Sequence, residues 1–125
     1  MANAMKFHKQ LKAFLKDLIA VFPNDRDIKV ISSSLNIAML DDEDNVIIKG
    51  FYETLEPFEK LIETRDNSLF TRNVSEITSK LAIDSTQYQL FDKLHIYWES
   101  LSEHNRNTVW DYFQVLYRMA SEFRV

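Results

Sequence analysis

The chain has no cysteine, one glycine (Gly50) and two prolines (Pro23 and Pro57) among its 125 residues. Without cysteine there are no disulfides, no cysteine nucleophile and no thiolate metal site. Average usage would supply about nine glycines at this length. With one, no glycine-rich phosphate loop, dinucleotide fingerprint or nucleophile elbow can be written. The same shortage disfavours an ordinary β-sandwich, whose tight hairpins need positive φ. Two prolines leave long stretches open to helix. No apolar run approaches the roughly 18 residues needed to span a bilayer. Lys12, Lys16 and Asp17 also cut the N-terminal apolar stretch. Neither a signal peptide nor a membrane span is therefore expected. The missing cysteines fit a reducing, intracellular compartment, cytoplasmic or nuclear.

What is present reads as one domain spanning 1–125, with 1–5 set apart as a disordered or tag-like start. Apolar residues make up 46% and charged residues 27%, the balance of a soluble globular chain. Nine Phe, five Tyr and two Trp supply a large apolar payload. At this length a core can form without a metal or a disulfide.

The apolar spacing is helical nearly throughout. Phe7, Leu11, Phe14, Leu18 and Phe22 mark a first helix that Pro23-Asn24 ends. Asp25 is a fitting N-cap for a second, with Ile28, Ile31, Leu35 and Ala38 inward. The acidic run Asp41 to Asn45 suits a loop entering a helix N-terminus. Ile48, Phe51, Leu55, Phe58 and Ile62 keep one rhythm through Pro57, which predicts a kinked or briefly interrupted helix. Thr54 is an available cap for its second half. Asp66-Asn67-Ser68 signals a turn. Val74, Ile77 and Leu81 predict a short helix, and Asp84 or Ser85 caps the next one, with Phe91, Leu94, Trp98 and Leu101 on one face. Ser102 caps a last helix over Glu103 to Phe123.

That last helix reverses the usual surface balance. Asp111, Gln114, Arg118 and Ser121 form one narrow polar stripe, and most other positions from Val109 to Phe123 are apolar. It reads as the central pillar of the bundle, or as a helix shared with a partner. Trp98 and Trp110 fall on the apolar stripes of the last two helices, which a short turn at Ser102 makes antiparallel neighbours. Ile96 and Tyr97 lie partly off the main stripe of their helix. They form a candidate apolar interface, most simply of a homodimer.

Catalytic and metal chemistry find little support. His8, His95 and His104 lie on three segments with no His-x-x-x-His pair, and read as surface histidines. A calcium loop starting at Asp42 fails at Val46 and Ile47, where an oxygen ligand and a glycine belong. Glu53, Glu56, Glu59 and Glu63 read as a wet helix face, and Ser32-Ser33-Ser34 has no partnered base. No catalytic, cofactor or metal residue is assigned, and no cofactor is implied.

Charge is unevenly spread. Residues 6–29 carry six cations against three anions, and residues 41–66 nine anions against three cations. Lys9, Lys12 and Lys16 share a face opposite the first apolar stripe. This is a solvated face or an electrostatic contact for an acidic partner or phosphates. The overall charge of −4 and the lack of interleaved aromatics argue against a dedicated nucleic-acid binder.

Lys93 and Trp98-x-x-Leu101-Ser102, then Trp110-x-Tyr112 before a leucine helix, resemble a C-terminal pattern in small uncharacterised helical proteins of large algal and amoebal DNA viruses. Phe22-Pro23-Asn24-Asp25 echoes it near the N-terminus. The resemblance implies an intracellular viral protein, virion-associated or host-interacting, and no enzymatic activity.

The expected fold is all-α, a single compact bundle of five or six helices around the C-terminal one. The expected function is a non-enzymatic protein–protein interaction or small structural module. The alternative is a nucleic-acid-associated accessory protein using the basic first helix.

Overall fold

A computed structural model describes residues 2–42, 45–72 and 85–123. In chain order the helices are α1 (Ala2–Val21), α2 (Arg26–Leu40), α3 (Val46–Leu55), α4 (Glu59–Thr64), α5 (Ser68–Thr71), α6 (Ser85–Tyr97) and α7 (Glu103–Phe123). A 3₁₀ turn, Glu56–Phe58, links α3 to α4, and another, Trp98–Ser100, ends α6. Counting α3 and α4 as one interrupted helix, the described residues contain six helices and no strand. The fold is all-α.

Local chemistry places most boundaries. The Asp25 carboxylate accepts from the Asp27 and Ile28 amides at 2.9 and 3.2 Å, an N-cap for α2. Ser102 Oγ accepts from the Asn105 amide at 3.1 Å and starts α7. Asp42 Oδ1 accepts from the Val46 amide at 2.8 Å, so the acidic loop does enter a helix start. Pro57 interrupts its helix for one 3₁₀ turn, because proline has no N–H to continue the ladder. Among the described residues the chain turns left-handed twice without glycine, at Asn45 (φ 56°) and Arg65 (φ 53°).

Two sequence expectations need correction. Thr54 is not a cap: it is buried, and its hydroxyl donates to Gly50 O at 2.7 Å, one turn back. The opening residues are not detached, since α1 starts at Ala2 and Ala4 is buried. The last two helices meet as expected, through Trp98 with Trp110 and Phe91 with Phe113. The closest packing of α7 is along α1 and α3, while α6 packs on α2 and α5. The expected short helix at Val74, Ile77 and Leu81, and the cap Asp84, lie outside the described residues.

The C-terminal helix is the pillar. Val109, Trp110, Phe113, Leu116, Tyr117 and Ala120 are buried along it. Phe113 meets the rings of Phe14, Phe51, Phe70 and Phe91, from α1, α3, α5 and α6, at 5.0 to 6.0 Å between centroids. Phe14 beside Phe113, and Lys6 beside Val115 and Glu122, show that α1 runs antiparallel to α7. Trp98 and Trp110 are both buried and meet edge-on at 5.8 Å. Trp110 Nε1 donates to Asn67 Oδ1 at 3.3 Å. Trp98 Nε1 has no hydrogen-bond partner among the described residues.

Candidate functional site

Asp25 joins the start of α2 to the end of α6. Beyond its two cap bonds, it accepts from Lys93 Nζ at 3.1 Å and from the Tyr97 hydroxyl. Lys93 also reaches Asp27 at 3.1 Å. The Tyr97 ring stacks on Phe22 at 4.1 Å. The hydroxyl of Tyr97 and the ammonium of Lys93, acting against burial, lower the Asp25 carboxyl from 3.8 to about 2. Burial alone would lower the Lys93 ammonium, but its bonds to Asp25 and Asp27 raise it. In this group one ammonium bridges two carboxylates, and Asp25 is the more enclosed of the two. The Asp25 carboxylate is too acidic, and the Lys93 ammonium too basic, for proton transfer near neutrality.

This placement splits the expected Ile96 and Tyr97 interface. Ile96 is 57% exposed. Tyr97 is half-buried, its ring covered by Phe22 and its hydroxyl bound to Asp25. The two residues do not make one free apolar face. On α7 the apolar surplus that motivated that interface is taken up inside the bundle, and no large apolar side chain of that helix is exposed among the described residues.

Lys9, Lys12 and Lys16 are all exposed on the outer face of α1, with no ion-pair partner among the described residues. Two of the histidines are not plain surface residues. His8 Nε2 pairs with Asp42 Oδ2 at 3.0 Å and ties α1 to the acidic loop. His95 Nδ1 donates to Phe70 O at 3.0 Å. His104 is exposed. Among the described residues no group of three or more His, Asp or Glu is placed to hold a metal ion. Ser32 is buried, and its hydroxyl accepts from Asn36 at 3.5 Å.

The polar stripe of α7 is clasped by α4. Arg65 donates to Asp111, to Gln114 Oε1 at 2.9 Å and to Asn107 O at 3.4 Å. Gln114 Nε2 donates to Ile62 O at 3.1 Å. Glu59, Glu63, Tyr117, Arg118 and Ser121 line a groove of about 320 Å³ beside this clasp. Burial, with Glu59 alongside, pushes the Tyr117 phenol well above its ordinary value. A phenol so held stays protonated near neutrality.

The feature that sequence reasoning missed is the outer face of α2. Its inner face buries Ile28, Ile31, Leu35 and Met39. Opposite them Val30, Ile37 and Leu40 are 59, 67 and 82% exposed. With exposed Ser33 they step by 3, 4 and 3, one continuous stripe along the helix. The signal was available: between Ile28 and Leu40 the apolar residues exceed what one inward face can bury.

The fold and these surfaces define an all-α bundle with a second, outward apolar face and no assembled catalytic group among the described residues. Compared with protein-family models, curated proteins and solved structures, the chain matches none significantly. No described helix is long and apolar enough to cross a membrane.

Proposed function

We propose that the chain acts as a non-enzymatic protein-interaction module or small structural component. The α2 stripe carries this reading. Three large aliphatic side chains held in water along one helix cost free energy that a partner's surface would recover, about 25 cal/mol for each Å² of apolar area covered. The resemblance to small helical proteins of large DNA viruses supports reading it as an intracellular, virion-associated or host-interacting module.

The test is retention of a specific protein from an extract of the native source by the immobilised chain. Retention should persist at about 1 M salt, where exposed charge contacts are screened. It should be lost with Ile37→Glu, whose helical circular dichroism matches the wild type because the side chain projects outward. A wild-type chain that retains nothing, or an Ile37→Glu chain that retains everything, overturns the reading.

Lys9, Lys12 and Lys16, exposed and without an ion-pair partner among the described residues, favour a second reading, an accessory protein that contacts nucleic-acid phosphates. Three phosphate contacts would make affinity fall steeply with salt, with a log–log slope of about −3 on duplex DNA. Reversing all three lysines to glutamate should abolish that binding and leave the fold intact. Binding that ignores salt would remove this reading.

A further inference from the structure

We infer that α2 pairs antiparallel with α2 of a second copy of this chain, about a twofold axis level with Leu35. The inference rests on the protein-binding reading and names its partner. Val30, Ser33, Ile37 and Leu40 form the exposed stripe. With the axis at that level, Val30 of one copy faces Leu40 of the other, and Ser33 faces Ile37. Each large side chain is thereby covered. The small Ser33 opposite Ile37 lets the helices approach closely, as ridges into grooves require.

Charge selects this partner and this direction. At the N-terminal end of the stripe Arg26 and Lys29 are exposed, and at its C-terminal end Asp41 is exposed. The same register sets Lys29 of each copy against Asp41 of the other. A parallel pair would set lysine against lysine and aspartate against aspartate. Opposed helix dipoles favour the antiparallel arrangement as well. The stripe is therefore complementary to itself after a twofold rotation, the condition for an isologous dimer. Such an interface uses the same patch on both copies and closes, so assembly stops at two. Two short helices cover less than the roughly 800 Å² per partner of a standard interface, so the dimer is weak and concentration-dependent.

Sedimentation equilibrium or light scattering on the intact chain, taken up to about 1 mM, tests this. The wild type should move from monomer to dimer mass and no further. Ile37→Glu should weaken the dimer about tenfold or more, with unchanged circular dichroism. Leu40→Lys provides an independent break should the first variant lose its fold. Lys29→Glu should weaken it about threefold, the scale of an exposed ion pair, and adding Asp41→Lys should restore it. A monomer throughout the range overturns self-pairing, and the extract experiment then decides separately whether α2 binds a different protein. A dimer indifferent to both Ile37→Glu and Leu40→Lys overturns the assignment to α2. Failure of the double charge reversal to restore association overturns the antiparallel register.

Discussion

Asp25 is one carboxylate serving three purposes: it caps α2, anchors Lys93 and holds the Tyr97 hydroxyl. Only the cap was legible in the sequence, because capping is local and Lys93 lies 68 residues away. Asp25→Ala removes the cap and leaves Lys93 with Asp27 alone. It should cost about 2–3 kcal/mol in urea denaturation, a lost cap plus a charged hydrogen bond. Asp25→Asn keeps an acceptor for the cap and should cost less. The pH dependence has a definite sign. The carboxyl is lowered from 3.8 to about 2 by Tyr97, Lys93 and the Ile28 amide. Its contribution is therefore complete above about pH 4 and fades as pH falls toward 2, by about 1–2 kcal/mol after allowing for solvent screening. Asp25→Asn should lose that part of the acid dependence. Equal acid sensitivity in both proteins would show that Asp25 is not the group responsible.

At the scale of elements, the interrupted helix of α3 and α4 shows local and distant forces meeting. The apolar rhythm through Pro57 was correct, and Ile48, Phe51, Leu55 and Ile62 are all buried. The proline broke the hydrogen bonds without breaking the face. How α4 ends was not legible, because Arg65 is an uncommon residue for a left-handed C-cap, where glycine is usual. Its bonds to Asp111, Gln114 and Asn107, all on α7, hold it there. This gives a paired prediction. Arg65→Ala loses those bonds and keeps the backbone strain, whereas Arg65→Gly loses the bonds but relieves the strain. The glycine variant should be the more stable of the two by about 1 kcal/mol in thermal or urea unfolding. An alanine variant of equal stability would show that residue 65 carries no strain.

For the whole molecule, Phe113 is the point where the bundle converges. It is fully buried, and four helices place an aromatic ring against it. Phe113→Ala should cost about 3–5 kcal/mol, the range for emptying a large aromatic site. That is a large share of the roughly 5–15 kcal/mol that holds a domain folded. The variant should melt far below the wild type, and a loss under about 1 kcal/mol would contradict its central position.

By itself the sequence determined the all-α class, the start and end of α7, the Asp25 and Ser102 caps, the interruption at Pro57 and the burial of both tryptophans. These follow from periodicity, capping and backbone chemistry, which act over a few residues and are written in consecutive positions. Tertiary structure decided which surfaces remained free. The broad apolar girth of α7 read as a central pillar or as a shared interface, and the packing of α1, α3 and α4 around it made it core. Tyr97 looked available and was claimed by Phe22 and Asp25. α2 looked like an ordinary amphipathic helix, yet Val30, Ile37 and Leu40 kept their water. Burial depends on what arrives from elsewhere in the chain, and for the outer face of α2 no described segment arrives.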